Sequence, residues 1–193
     1  MIKQFVFKIY RNPHAAGGKP KNKNLHRLVN LHGLLYNHCI ALHKRYYRLY
    51  GKHLNQYTLM RHITKLKSVA GYEWLRQIGS QSAQDVVKRI ENGYALFFSE
   101  REKGNNKIQP PSYHKLSKYR SFTFTQAGWK LEADNIVRID GRTHKFALSR
   151  PIEGTMAPRP PLDDPSKGRL GVLRATFKTV TIKKDKVGDF WIA

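Results

Sequence analysis

QFVFKIY, residues 4–10, sets Phe5, Phe7 and Ile9 on one side of an extended chain and Val6, Lys8 and Tyr10 on the other. Aromatic and β-branched residues at a period of two predict a strand. A strand cannot hold itself up alone, because half of its backbone groups and its apolar face need a partner. Yet no second strand pattern follows for about a hundred residues. The partner has to come from the far end of the chain, so whatever lies between is an insertion within one β-barrel or sheet.

What lies between reads as helix. After a basic Gly/Pro loop, RNPHAAGGKPKNKN (11–24), the period changes. Leu28, Leu35, Cys39, Leu42, Tyr46 and Leu49 recur at steps of three, four or seven. They predict a long helix from about Leu25 to Gly51, with Arg27, His38, Lys44, Arg45 and Arg48 on its other face. Asn55 is suited to cap a second helix with Leu59, Ile63 and Leu66 inward. Residues 80–101 predict a third, with Ala83, Val87, Ile90, Tyr94 and Phe97 inward. The stretch KGNNKIQPPSYHKLSK (103–118) is polar and broken by proline, and ends the helical block.

Strand patterns then resume: YRSFTFTQ (119–126), WKLE (129–132), NIVRI (135–139), HKFALS (144–149), VLRATFKTVTIK (172–183) and DFWIA (189–193). TMAPRPPLDDPSKG (155–168) is too rich in proline and charge to pack, and is expected to be a mobile loop. The expected class is therefore α+β. A strand domain of residues 1–19 and 113–193 is interrupted by a helical domain of residues 20–112.

Charge narrows the partner. The chain of 193 residues carries a formal net charge of +23, and its first acid is Glu73. With 40% hydrophobic residues it is in the globular range, so the charge belongs to a folded surface that suits a polyanion, foremost nucleic acid. Lys and Arg interleave with aromatics in KRYYRLYGK (44–52) and SYHKLSKYRSFTF (112–124). Cations neutralise phosphates while rings can stack on bases. Lys44, Arg45, Arg48, Lys52, Lys88, Lys115, Lys118 and Arg120 are the expected backbone contacts. A ribosomal-type RNA-binding protein would also fit this charge.

Catalytic chemistry is sparse by comparison. The acids are scattered, and the one adjacent pair, Asp163–Asp164, lies in the proline-rich loop, a poor platform for precise geometry. Nine His invite a metal reading, but His38 and His43 are five apart, off the i, i+4 spacing of a helical zinc pair. They read better as core or partly exposed polar residues. Cys39 is the sole cysteine and lies on the apolar face of the first helix, so neither a disulfide within the chain nor a cysteine-based zinc site is expected. There is no P-loop, dinucleotide fingerprint or nucleophile elbow. No run approaches a membrane span, and a reducing interior is the default expectation.

One turn stands apart. GSQSAQ (79–84) collects neutral hydrogen-bonding groups in an otherwise basic chain. Ser80, Gln84 and Lys88 fall one helical turn apart with Gln81 beside them, opposite Ala83, Val87 and Ile90. Gln can pair with adenine and Ser with several base edges. Capping competes: Ser80 or Ser82 could be the N-cap, with Asp85 completing a capping box after Ser82. Capping accounts for one Ser but for neither Gln.

Five blocks in order carry a resemblance: YNHCIALHKRYYRLYGKHL (36–54), WLRQIGSQSAQDVVKRIENGYALFF (74–98), KYRSFTFTQ (118–126), LSRPIEG (148–154) and FKTVTIKKDKVGDFWIA (177–193). Together they resemble the N-terminal half of TnpB, the transposon-encoded RNA-guided DNA endonuclease family related to compact type V CRISPR effectors. The resemblance implies a wedge-type β-barrel with an inserted helical recognition domain. Its partners would be a guide RNA, target DNA and a short transposon-adjacent motif. By similarity, motif contacts fall on Tyr57, Ser80, Gln81, Gln84, Thr125 and Gln126. The likeness stops at DFWIA, before the family's RuvC nuclease portion. Mg²⁺ and Zn²⁺ are expected only with that portion, supplied in cis or in trans, and no cofactor, catalytic residue or metal ligand is expected in these 193 residues. The chain alone is expected not to cut DNA. A non-cleaving regulator of the same descent is the alternative, and the implied location is a prokaryotic cytoplasm, at the nucleoid.

Overall fold

A computed structural model describes residues 4–10, 22–132, 136–146 and 179–193. The fold is α+β. Three helices, α1 (Lys23–Tyr50), α2 (Gln56–Leu66) and α3 (Ser80–Glu102), follow a first strand β1 (Phe7–Lys8). The later strands are β2 (Ser121–Phe124), β3 (Trp129–Glu132), β4 (Ile136–Ile139), β5 (Arg142–Lys145), β6 (Val180–Lys184) and β7 (Phe190–Ile192). The expected strands at 144–149 and 172–183 lie partly outside the described residues; the loop at 155–168 with its Asp163–Asp164 pair, and residues 11–21 of the basic loop, lie wholly outside them.

The N-terminal strand does find its partner at the other end of the chain. β1 pairs antiparallel with β7, Phe7 opposite Ile192 and Lys8 opposite Trp191. They form a four-stranded sheet in the order β1-β7-β6-β2, so the helices enter the sequence between its two outer strands. Phe7 and Ile9 are buried, as the alternation requires, while Phe5 lies beyond the paired residues and is exposed. A second antiparallel sheet, β3-β4-β5, is a meander. Its β4–β5 turn places Asp140 at φ 51° and Gly141 at φ 71°, the left-handed pair that an Asp-Gly hairpin supplies. The two sheets are stitched at Ile9, which bridges Phe146 and donates its N–H to the Phe190 carbonyl. Among the described residues neither sheet closes into a barrel.

Contacts group the chain into two units: Met1–Asn22 with Thr123–Ala193, and Lys23–Phe122. Residues 113–122 cluster with the helices, whereas the sequence reading joined them to the strands. The cause is local. Asn37 on α1 donates to the His114 carbonyl at 2.8 Å and accepts from its N–H at 2.9 Å, a two-way clamp. Gly33 leaves room for Leu116 and Tyr119, and Gly93 on α3 for Pro111, whose Cγ lies 2.8 Å from where a Cβ would stand. The proline-broken strap thus runs along α1 and α3.

The buried face of α1 departs from expectation. Leu28, Leu35 and Cys39 are buried, but Leu42 is half-buried and Leu49 is 60% exposed. The core instead follows Leu25, Val29, His32, Tyr36, Ile40 and His43. A strict seven-residue step slips about 20° per heptad round a straight α-helix, so 28, 35, 42 and 49 rotate off the packed face. A short 3₁₀ turn, Glu73–Gln77, leads into α3 and was not expected.

Candidate nucleic-acid interface

The start of α3 is built without a side-chain cap. Gly79 is the N-cap, and its carbonyl accepts from the Ala83 N–H at 2.9 Å. The capping reading of Ser80 or Ser82 is therefore corrected. Ser82 sits inside the first turn, fully buried, and its hydroxyl donates back to the Gly79 carbonyl at 3.0 Å. Asp85 pairs with Arg89 one turn on, at 2.7 Å. Gly at this position needs no side chain to reach N-cap geometry. Ser80, Gln84 and Lys88 are exposed along one stripe, Gln81 is half-buried beside them, and Ala83, Val86, Val87 and Ile90 face inward.

Arg89, which the sequence reading passed over, fixes this helix against the start of β2. Its guanidinium donates to both the carbonyl and the hydroxyl of Ser121 at 3.1 Å. Before the turn, Arg27 on α1 is bonded to Gln77 and to Asn24. The polar turn thus rides on a helix held by charged side chains at its back and at its approach. Ser80 and Gln84 of that turn are exposed on the outer stripe.

The two basic-aromatic segments converge in the same helical unit. The Lys44 ammonium lies 4.5 Å from the Tyr113 ring centre, a cation–π contact. His114, next in the strap, packs at a tilt against Tyr36 with ring centres 4.8 Å apart and is clamped to Asn37. Lys44, Arg45, Arg48, Lys52, Lys115 and Lys118 are exposed and Arg120 is half-buried. Within 44–52 there is no acid. The sequence reading missed Asn37 and His114 as the pair that ties the strap to α1; an amide on a basic helix face gives no such signal by itself.

The remaining expected positions are spread. Tyr57 stands in the first turn of α2, 72% exposed, just after Asn55, whose side chain caps the helix by accepting from the Thr58 N–H at 2.9 Å. Thr125, half-buried, and Gln126, exposed, follow β2 in the strand unit. There the preceding Thr123 shares a 2.9 Å hydroxyl hydrogen bond with Thr181 on β6.

The histidines divide between core and cluster. His32 is buried, stacks on Phe122 with ring centres 4.5 Å apart, and places Nδ1 2.7 Å from the Leu28 carbonyl. Burial holds its pKa down to about 4 despite that hydrogen bond, so the ring is neutral. His43 is likewise held to about 4, by burial and by the neighbouring His53, whose ring is 5.2 Å away. His53 in turn meets Glu91 at 3.1 Å. His38 and His62 stack with ring centres 5.7 Å apart, and burial lowers both. Burial raises the Cys39 thiol to about 12, leaving it an inert core group. Among the described residues no group of three or more His, Cys, Asp or Glu is placed to hold a metal ion, and no helix is long and apolar enough to cross a membrane. No protein-family model and no curated protein matches the chain.

Proposed function

We propose that this chain is the nucleic-acid-binding portion of a TnpB-like RNA-guided DNA endonuclease. It would hold a guide RNA scaffold and the guide–target heteroduplex, and would read a short DNA motif beside the target. Cleavage would come from a RuvC portion, in cis or in trans, with the Mg²⁺ and Zn²⁺ that portion needs. In this reading the sheets belong to a wedge-type barrel, with β1 stitched to both through Ile9.

The observation that carries the reading is the contact of KRYYRLYGK with SYHKLSKYR at Lys44–Tyr113, with the strap clamped to the same helix at Asn37–His114. Two segments far apart in sequence make one acid-poor face with exposed rings, the mixture that grips phosphate and stacks bases. The uncapped, uncharged turn of α3 supports a division of labour. Cations fix position on the phosphates, while Ser80, Gln81 and Gln84 offer the donors and acceptors that distinguish base edges. As in other RNA-guided systems, pairing with the guide would read the target, and protein side chains only the motif.

RNA that co-purifies with the full chain tests the reading when sequenced. One enriched transposon-end species carrying a variable guide supports it. Ribosomal RNA, or no enriched species, overturns it in favour of a ribosomal-type binder or a protein with no RNA partner.

A further inference from the structure

The apolar stripe of α1 outruns its cover. Tyr36, Ile40 and His43 are buried, and the same alternation of four and three residues continues to Tyr47 and Tyr50. These two are on the face that packs the core one turn earlier, yet they are 65% and 62% exposed. Large rings left on the packing face of a helix mark a surface that something else covers. Tyr50 is braced by Tyr46, with ring centres 4.7 Å apart. Arg48 and Lys44 flank the rings on one side.

Charge selects what covers them. A protein helix would bring apolar side chains, but it would have to carry an acidic rim to sit among four cations in nine residues with no acid, Lys44 to Lys52. An unpaired RNA strand supplies both needs at once, bases for the rings and phosphates for Lys44 and Arg48. A paired RNA helix supplies only the phosphates, because its bases are stacked inside and its major groove is too deep and narrow for side chains. We propose that Tyr47 and Tyr50 form a stacking platform for an unpaired stretch of RNA, held in register by Lys44 and Arg48. This rests on the nucleic-acid reading above and adds the strandedness of the ligand at this end of the helix.

Binding of the full chain to a labelled, unstructured RNA and to a blunt RNA duplex, by fluorescence anisotropy, separates the two claims. Tyr47→Ala and Tyr50→Ala should each weaken the single strand about tenfold, one stacked base's worth, and the duplex by less than about twofold. Tyr47→Phe and Tyr50→Phe keep the ring and should bind like the parent. If an alanine variant does not fold, Tyr47→Leu and Tyr50→Leu keep the bulk without the ring and are held to the same loss. Alanine variants that bind the single strand normally, or lose both forms equally, overturn the platform and leave the nucleic-acid reading standing. So does a dimer that Tyr47→Ala dissociates, which would assign the face to a second copy. A parent chain that binds neither RNA overturns the nucleic-acid reading and the platform with it.

Discussion

The part of α1 up to His43 and the part beyond it are one helix with two environments. The first is buried wherever the 3.6-residue period brings it inward, through Leu25, Val29, His32, Tyr36, Ile40 and His43. The second carries the same stripe to Tyr47 and Tyr50, but of residues 44–50 only Tyr46 is shielded even in part. The first half is set by packing, and burial keeps its His32 and His43 rings neutral. The second half keeps three cations, Lys44, Arg45 and Arg48, and exposes its rings. Helical geometry is common to both; what differs is that the chain covers the face up to His43 and leaves Tyr47 and Tyr50 exposed.

The comparison can be broken at its core side first. Ile40→Ala removes a fully buried side chain and should cost about 2–5 kcal/mol in denaturant unfolding. Tyr47→Ala, on the same face but exposed, should stay within about 0.5 kcal/mol. Equal losses at the two positions would mean that the chain covers both.

Acid should find the first half next. His32 and His43 have folded pKa values near 4, against an ordinary 6.5, so the unfolded chain takes up protons that the fold refuses. Stability is full above pH 6.5 and falls as pH drops from there through about 4, by about 3 kcal/mol from His32 alone. Arg89 adds to this depression and the Leu28 carbonyl opposes it. His32→Phe, stacked on Phe122, should flatten that acid limb in unfolding measured across this range. A limb of unchanged steepness would show that His32 is not charge-excluded.

Smaller effects belong to the outer face. Gln84→Ala should leave folding intact and cost about 1–3 kcal/mol of discrimination between DNA motifs at one position, measured by competition binding with the guide RNA bound. Arg48→Ala should weaken all sequences alike and lower the slope of log affinity against log salt by about one. A change of motif preference on Arg48→Ala would reverse the division between gripping and reading.

Much of this was legible in the sequence, for reasons that can be named. The period-two pattern of QFVFKIY demanded a distant partner, and β7 provides it. Asn55 announced its helix because an N-cap is a local event. GSQSAQ was legible as an exposed polar stripe but not as an uncapped one. Whether Gly79 or a Ser ends the loop depends on which residue takes the non-helical angles, and both are permitted. The strap was misread because its hold is not local: Asn37 and His114 are far apart in sequence, and neither advertises the other. The stripe of α1 was misassigned at its second half by following leucines at steps of seven, when the tyrosines were the residues in phase.

The claim that 44–52 and the strap from Tyr113 onward form one RNA-binding face is open to a direct reading. Ultraviolet crosslinking of the RNA-bound full chain, followed by mass spectrometry of the modified peptides, should place crosslinks in both segments, with Tyr47, Tyr50 and Tyr113 among the modified residues. Crosslinks confined to other parts of the chain, or none, would contradict it.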